Sequence, residues 1–293
     1  MNWDDVRIFL AVARSGQILG AAKRLGLNHA TVSRRIASLE ESLNAKLFRR
    51  LTTGSELTPA GERFLERAEH MEAELIVARA DIAGEGGEVS GTVRIGAPDG
   101  FGVAFLAPRL GALAARHPEL TVQLVPVPRS FSLSRREADI AITVERPAEG
   151  RLVAGKLVDY TLGLYASRAY VEEMGMPRTP AELCRHRLVG YVPDLTFSPS
   201  LDYADEFSAD WESHFEISSS LGQAEAVRSG AGIGILHTFI ARALPDLVHV
   251  PAAKPIRRAY WLVYHESVRP LRRIQAVASF IGEAVERERN LFA

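Results

Sequence analysis

The sequence predicts an α+β protein of several domains: a small helical N-terminal domain, one long helix and a large α/β domain. The chain has 293 residues, which exceeds one ordinary domain of roughly 100–200 residues. Apolar side chains near the N-terminus show helical spacing, whereas strand-like and helix-like segments alternate in the C-terminal part. We therefore expect domains at 1–58 and 89–293, joined by a helix and hinge at 59–88.

The charge of the chain is unevenly distributed. Hydrophobic residues make up 47% and charged residues 24%, an ordinary globular composition that can bury a large core. Residues 1–58 hold nine Lys/Arg against five Asp/Glu, so +4 at this end and −5 elsewhere give the total of −1. No carboxylate lies between Val6 and Leu39, where six Lys/Arg lie. This asymmetry favours a polyanion as the partner of the N-terminal domain.

Several classes of protein are disfavoured. No apolar run approaches the ~18–20 residues of a membrane span and no secretory signal is present, so we expect a cytoplasmic protein without membrane association. The single Cys184 excludes a disulfide framework, and we expect it to be half-buried filler rather than a redox sensor. Gly230–Gly234 lies between a helix and a strand, the reverse of a dinucleotide fingerprint. Without nucleophile, metalloprotease or phosphate-loop motifs, we expect neither catalysis nor a cofactor.

The N-terminal domain reads as three short helices followed by a hairpin. Apolar spacing predicts helices over about 6–13 and 18–25. Asn28 is a good N-cap for a third helix. The apolar face of that helix is formed by Val32, Ile36 and Leu39. The segment after Asn44 predicts a hairpin with Gly54 near its tip.

Two short helices joined by a tight turn are typical of a helix-turn-helix, whose second helix reads base edges in the major groove. Arg34 can bond a guanine bidentately, and Ala30 or Thr31 can contact a thymine methyl. Basic residues of the third helix and hairpin are suited to phosphates. The predicted DNA-binding set is Asn28, His29, Ala30, Thr31, Ser33, Arg34, Arg35, Arg49, Arg50 and Thr52. The alternative is a helical bundle with a solvated basic face.

Thr58 and Pro59 open a long helix that is predicted to reach about Ile82. Its apolar positions are spaced 4, 3, 4, 3, 4, as in the seam of a coiled coil, with charged residues opposite. Either this seam packs on its own domain or it pairs two protomers, and we favour dimerisation. The predicted seam consists of Phe64, Ala68, Met71, Leu75, Ala78 and Ile82.

The C-terminal part alternates strands and helices, which implies α/β layers around a mostly parallel sheet. The predicted strands are VSGTVRIGA, LTVQLVPV, ADIAITV, LVDYTLGLYAS, RLVGYV, GIGIL and RAYWLVYH. A helix is expected over 101–116, a short one over 130–137 and a last one over about 270–289. The inner face of the last helix is formed by Leu271, Ile274, Val277, Ile281 and Val285.

The segments AAKRLGLNHATVSRRIASLEESLNAKLFRR and LTPAGERFL resemble the winged helix-turn-helix of the LysR-type transcriptional regulators. Resemblance continues through SGTVRIGAP, EADIAI and AVRSGAGIGIL. The family implies a homodimeric reader of double-stranded DNA that assembles into a tetramer, with RNA polymerase as a further candidate partner. It also implies two α/β subdomains like those of periplasmic binding proteins, here 89–161 with 269–293 and 162–268, which hold a small-molecule effector between them.

The resemblance also implies the effector-binding positions. They are Pro98, Asp99, Gly100, Phe101, Pro128, Arg129, Ser130, Glu145, Phe197, Ser198, Ser220, Gln223 and His237. Of these, Arg129 either pairs an anionic effector group or is solvated, and we expect His237 to be structural.

The sequence departs from the family pattern at three places. Gln17 and Leu19 replace the usual Ser or Thr, and the third helix opens with Asn28-His29-Ala30, which leaves base preference open. Asp99 lies where the family often has Ser or Thr facing an anionic ligand. Either Asp99 caps the next helix, which we favour, or it faces the cleft and disfavours a carboxylate ligand.

Two other classes of protein remain as alternatives. One is a small-molecule binding protein whose N-terminal helices only mediate assembly, although an assembly surface does not need the carboxylate-free stretch. The other is an α/β transferase, which lacks a nucleophile–base pair at recognisable spacing.

Overall fold

A computed structural model describes residues 2–51, 54–82, 88–126, 137–148, 151–196 and 198–293. The chain forms two compact units. The first is built on residues up to 87 together with 266–271, and the second holds most of the remainder. None of the helices in these described ranges has the length and apolar character that crossing a membrane requires.

The first unit contains three short helices, a hairpin and a long helix. Its elements are α1 (Trp3–Ser15), α2 (Ile18–Leu25), α3 (His29–Ser42), β1 (Phe48–Leu51), β2 (Gly54–Leu57) and α4 (Pro59–Ile82), with a helical turn at Glu266–Val268. The predicted helices and hairpin are confirmed. The Asn28 side chain accepts the Thr31 N–H at 2.7 Å, which confirms the cap of α3. Helices α1 and α2 end at Gly16 and Gly26, both left-handed with φ of 66° and 65°.

The core of this unit lies between the three short helices, the hairpin and the start of α4. Val32 and Leu39 are fully buried and Ile36 is 7% exposed, so the predicted inner face of α3 is confirmed. The Phe9 ring lies 5.2 Å from Phe48 of the hairpin. One apolar cluster therefore fixes the hairpin against the helices.

Glu40, near the end of α3, holds the start of the hairpin. It is 7% exposed and accepts the N–H groups of Leu47 and Phe48 at 2.9 and 3.2 Å. Lys46 Nζ donates to the same carboxylate at 2.7 Å. Burial alone raises the pKa of Glu40, but the bonds from Lys46, Leu47 and Phe48 outweigh it and lower the pKa. The β1–β2 hairpin, which we call the wing, is therefore held in a fixed position relative to α3.

A buried ion pair joins α1 to α4. Arg14 Nη2 lies 2.6 Å from Glu72 Oε2 and 3.7 Å from a Glu69 oxygen, and the three side chains are 8%, 16% and 14% exposed. Arg and carboxylate meet in the bidentate geometry that gives the stronger pairs. Helix α4 is thus attached to the helical domain along its first half.

The second unit is a layered α/β structure. Its main elements are β3 (Gly91–Ala97), α5 (Leu110–Arg116), β4 (Leu120–Pro126), β5 (Ile140–Thr143), β6 (Leu152–Ser167), α6 (Arg168–Met174), β7 (Leu188–Gly190), α7 (Ala204–Phe207), β8 (Phe215–Glu216), α8 (Ser220–Arg228), β9 (Ile233–His237), α9 (Thr238–Ala241), β10 (Leu247–His249), β11 (Ile256–His265) and α10 (Arg272–Arg287). Helical turns lie at Gly100–Leu106, Ala107–Arg109, Pro180–Arg185, Pro193–Leu195, Pro199–Leu201 and Arg289–Phe292. Every predicted strand is found, whereas β8 and β10 were not expected. The predicted helix over 130–137 lies outside the described residues, apart from its last position.

One sheet runs through the whole second unit, in the order β4-β3-β5-β11-β6-β9-β7-β8 with β10 on β6. The prediction of a mostly parallel sheet is wrong. In the described ranges four pairs are parallel, and the four pairs made by β11 or β6 are antiparallel. The physical reason is that β6 and β11 lie between two groups of parallel strands and run antiparallel to their neighbours there.

Strand β6 is 16 residues long and serves both halves. Its first part pairs with β11, and from Leu162 onward it pairs with β9. The pairing of β6 with β11 shifts register between Tyr260 and Trp261, where Leu157 is the extra residue of a β-bulge. The predicted subdomain boundary at 161/162 coincides with the change of partner and stays a prediction.

The last helix covers this sheet. Its predicted inner face is buried, because Leu271, Ile274, Val277, Ile281 and Val285 are at most 3% exposed. Beyond α10, Phe292 is fully buried, with its ring 4.9 Å from Phe105 and 5.0 Å from Phe239. The Gly230 turn has φ of 86° and joins α8 to β9, as predicted for a helix-to-strand connection. Cys184 is exposed, so the prediction of a half-buried filler is wrong.

Candidate functional site

The outer face of α3 presents the predicted base-contacting residues. Asn28, His29, Ala30 and Arg34 are exposed, and Thr31 is half-buried beside the Asn28 cap. Ser33 is an exception, since its hydroxyl oxygen is buried and has no hydrogen-bond partner among the described residues. The prediction that Ser33 faces outward is therefore wrong for its hydroxyl.

The predicted phosphate-contacting residues differ in their surroundings. Arg35 is 37% exposed and pairs with Asp5 at 2.8 Å, and exposed Arg49 pairs with Glu56 across the hairpin at 2.6 Å. Both guanidinium groups are thus paired with a carboxylate of their own domain. Arg50 lies in β1, but its side chain and all of Thr52 fall outside the described residues.

The predicted dimerisation seam divides into two parts. Ala68 is fully buried, and Phe64 packs edge-on against Phe9 with ring centroids 4.9 Å apart. These two residues also pack on the core of their own domain, and their assignment to a dimer contact stays a prediction. Farther along α4, Met71 and Leu75 are 41% and 42% exposed, and Ala78 is exposed. The side chain of Ile82 is outside the described set.

Asp99 lies at the end of β3 and reaches the start of α8. Its Oδ2 accepts the Ser219 hydroxyl at 2.7 Å and the Leu221 N–H at 3.3 Å, while Oδ1 accepts the Ser220 hydroxyl at 3.1 Å. It makes no capping bond to its own helix, so the favoured prediction of a cap is wrong. Three donors 120 residues away hold the carboxylate instead. A carboxylate of the chain therefore occupies the helix N-terminus, where an anion is favoured.

Glu145 makes a second connection after β5. Its Oε1 accepts the Ser198 hydroxyl at 2.6 Å and the Ser200 N–H at 2.8 Å. The Ser198 hydroxyl lowers the pKa of Glu145 against the opposing effect of burial, and Ser200 lowers it further. Asp99 and Glu145 follow β3 and β5 in one predicted subdomain, and their donors lie in the other, so the two carboxylates bridge the predicted cleft. We call Asp99 and Glu145 the carboxylate clasp.

Other predicted cleft residues are buried behind the clasp. Phe101 is fully buried, with its ring 4.9 Å from Tyr260, and its assignment as a ligand contact stays a prediction. Gly100 is buried against Ser220 and Ile240, and Pro98 is half-buried. The Gln223 amide donates to the Ile217 carbonyl at 2.7 Å. Outside the described residues lie Pro128, Arg129, Ser130 and Phe197.

His237 is 8% exposed and stacks on Tyr160, with ring centroids 5.1 Å apart. Burial lowers the pKa of His237 to about 4, although the charge of Asp99 opposes this. The side chain is therefore neutral at pH 7. Its surroundings agree with the expected structural role.

Replacing His237 by phenylalanine is expected to reduce the acid sensitivity of the protein. The unfolded chain gains a proton at His237 near pH 6.5, whereas the folded protein gains it only near pH 4, so stability falls as pH drops through this window. By pH 5 the difference amounts to about 2 kcal/mol. Urea unfolding midpoints at pH 7 and pH 5 measure it. His249→Phe, at an exposed histidine, should keep the wild-type loss, and an equal loss in His237→Phe would contradict the prediction.

Sequence reasoning missed several residues of these sites. Ser219 caps α8 by accepting the Gly222 N–H at 3.1 Å, and it also donates to Asp99. The serine run 218–220 before a helix was a local signal for this cap. No such signal marked Ser200, or Glu40 as the residue that holds the start of the hairpin, because their partners are set by the fold.

Each of the two units matches a known protein family. The chain matches the families described as "Bacterial regulatory helix-turn-helix protein, lysR family" over residues 3–62 and "LysR substrate binding domain" over 86–286. An HTH-type transcriptional regulator of Xanthomonas campestris is 34% identical over 184 residues, which cover 63% of this chain but only 54% of that protein. The regulator CrgA of Neisseria meningitidis is 27% identical over 241 residues, 82% of this chain and 80% of that protein.

Solved structures show the same likeness. CrgA, a LysR-type regulator, matches 97% of this chain and 98% of its own with a TM-score of 0.60 and 25% identity. Full-length OxyR from Pseudomonas aeruginosa matches 96% of this chain and 94% of its own with a TM-score of 0.71. At 20% identity the second match shows similarity of fold alone.

Proposed function

This chain belongs to the LysR family of transcriptional regulators, and from that premise we propose how its own residues bind DNA and sense a ligand. The first turns of α3 enter the major groove, where Arg34, His29 and Ala30 meet base edges. The exposed first turns of α3, which carry no carboxylate, are the observation that supports this assignment. Phosphates bind Arg35, Arg49, Arg50 and Thr52, so Arg35 and Arg49 exchange a carboxylate for a phosphate on binding.

Two protomers pair through the exposed part of the α4 seam. Met71, Leu75 and Ala78 are exposed along one line of the helix, which leaves apolar surface for a partner helix. Such a dimer presents two copies of α3 to a partly palindromic site. We propose that dimers join into a tetramer and that the regulator works in the cytoplasm, with RNA polymerase as a further partner.

A small molecule acts on the second unit by changing how the carboxylate clasp holds the two halves of the sheet. Asp99 and Glu145 already occupy donors of the opposite half, so a ligand that binds one state of this clasp more tightly than the other shifts the population of open and closed forms. Coupling of this shift to DNA binding is a free energy shared by both sites. The unit senses its ligand without transforming it, so we propose no catalytic role.

The steepness of the salt dependence tests DNA binding. A protein that makes 6–10 phosphate contacts loses about 10³-fold or more in affinity between ~50 and ~200 mM salt, because each contact releases counterions. Titration of labelled promoter DNA at several salt concentrations measures this slope. Equal affinity across that range would overturn the proposal.

Arg34→Ala is expected to weaken binding to the preferred site by about 1–3 kcal/mol and to relax base preference at one position of each half-site. Binding selection from randomised DNA measures the preference. Arg7→Ala is the matched control, because Arg7 is an exposed arginine of α1 that pairs with Asp4. A uniform loss of affinity for all sequences would instead make Arg34 a phosphate contact.

A further inference from the structure

The second unit contains a pocket of about 430 Å³ whose lining does not include the two carboxylates of the clasp. Its walls come from the chain between β7 and β8, with contributions from α8 and β9. This volume lies in the range of roughly 300–1,000 Å³ that small-molecule sites occupy. Of the effector positions implied by resemblance that the structure describes, Gln223 alone lines it.

Aromatic rings and carboxylates dominate the lining. Among the described residues, the lining combines three aromatic residues, Tyr191, Tyr203 and Trp211, with three acids, Asp202, Glu212 and Glu216, and includes no Lys, Arg or His. Aromatic faces attract cations through their quadrupoles, and the carboxylates add a negative potential that repels anions. The lining therefore favours cationic ligands over anionic ones.

The backbone of β7 fixes one wall. Gly190 pairs with Glu216 of β8, and the Trp211 indole N–H donates to the Ser213 hydroxyl at 3.0 Å. A Cβ at Gly190 would lie 2.1 Å from the Ser213 oxygen and 3.3 Å from the indole nitrogen. The absence of a side chain at position 190 lets Trp211 stay in place beside the strand.

The Tyr191 hydroxyl is a polar group of the lining whose hydrogen-bonding capacity is not satisfied by the described residues. It is buried and has no hydrogen-bond partner among the described residues. Burial raises the pKa of Tyr191, and the charge of Asp99 raises it further, so the hydroxyl stays protonated. A buried hydroxyl without a partner is costly unless a ligand satisfies it.

Two observations exclude other ligand classes. The carboxylates do not converge, since the described residues contain no group of three His, Cys, Asp or Glu that could hold a metal ion. The N-terminus of α8, which is the helix end in this half that favours an anion, is already occupied by Asp99. A metal ion and a carboxylate ligand are therefore both disfavoured.

We propose that this pocket binds an organic cation, an amine, guanidinium or quaternary ammonium group carried on an apolar body. The cation lies against the aromatic rings, within the negative potential of the three separate carboxylates, and the apolar body fills the remaining volume. Binding of the cation is inferred from the pocket alone. Its role as the effector rests on the proposed function.

Calorimetry on the full chain with matched probes tests the pocket. Phenethylamine, phenethyl alcohol and phenylacetate share one shape and differ in charge, and benzyltrimethylammonium adds a cation without N–H groups. We expect both cations to bind at least tenfold more tightly than the alcohol, and phenylacetate to bind least. Equal binding of the alcohol, tighter binding of phenylacetate, or no saturable binding of either cation would overturn the proposal.

Charge-neutralising variants locate the binding site. Glu212→Gln with Glu216→Gln is expected to weaken phenethylamine binding about tenfold or more, since each charge near the cation contributes at intermediate dielectric. Both residues are exposed, so the substitutions leave the core intact. Asp210→Asn is the matched control, because Asp210 is an exposed acid next to Trp211 that does not line the pocket. Equal losses in the variant and the control would place the cation elsewhere and overturn the proposal.

DNA affinity separates this inference from the proposed function. Without ligand, the doubly neutralised variant should bind promoter DNA as the wild type does, because both changes lie outside the helical domain. Cation binding by a protein that shows no salt-dependent DNA binding would support the pocket and refute the regulator assignment. DNA binding with no preference for cations would do the reverse.

Discussion

Replacing Gly61 by alanine is expected to destabilise the N-terminal domain by about 3 kcal/mol, the upper part of the range for overpacking. A Cβ at this position of α4 would lie 2.1 Å from the Leu47 carbonyl oxygen and 3.0 Å from its carbon. The carbonyl cannot retreat freely, because it accepts the Thr58 N–H at 3.0 Å where the hairpin meets α4. The substitution therefore separates the wing from the long helix.

Gly20→Ala is the matched control, since Gly20 is also a helical glycine of the same domain. Its Cβ would meet nothing closer than the Ser15 Cβ at 3.4 Å, so alanine should be neutral or should stabilise α2 by roughly 0.5–1 kcal/mol. Urea unfolding followed by circular dichroism measures both variants. Equal stability of Gly61→Ala and wild type would show that α4 can move away from the hairpin at no cost.

Asp99→Ala is expected to destabilise the second unit by about 2–4 kcal/mol. The change leaves the Ser219 and Ser220 hydroxyls and the Leu221 N–H without their charged acceptor, and bonds to charged groups are among the stronger ones. Loss of one arm of the carboxylate clasp should also widen the cleft. Small-angle scattering detects the widening as a larger radius of gyration, and urea unfolding measures the stability.

Asp159→Ala controls for the loss of a carboxylate. Asp159 pairs with Lys156 at the surface, where both side chains are about half exposed, so its removal should change stability by less than about 1 kcal/mol. A wild-type midpoint in Asp99→Ala would show that solvent replaces the carboxylate without penalty. Asp99 would then have no part in holding the two halves.

The helical domain was predictable because its signals are local. The Asn28 cap, the glycines that end α1 and α2, and the apolar spacing of α3 each specify their own few residues. The α4 seam was only half predictable. A heptad pattern shows that Phe64 and Ala68 are covered, but it does not tell whether Phe9 or a second protomer covers them.

The cleft shows the same limit more strongly. A local pattern of aspartate before a helix favoured a cap at Asp99, yet its actual donors lie 120 residues farther along the chain. Tyr191, Asp202 and Trp211 lie in segments of short helical turns without any period, so no pattern marks them as pocket residues. Only the fold of β7, β8 and α8 brings them together.

The β6–β11 pair has a mechanical consequence for the two halves of the second unit. Because both strands run without interruption from one half into the other, the halves cannot separate as independent bodies. Any change in cleft width must bend this two-stranded strip, and its stiffness sets the energy of opening. At the bulge at Leu157 the hydrogen-bond ladder between β6 and β11 is already interrupted, so bending the pair there requires the least free energy.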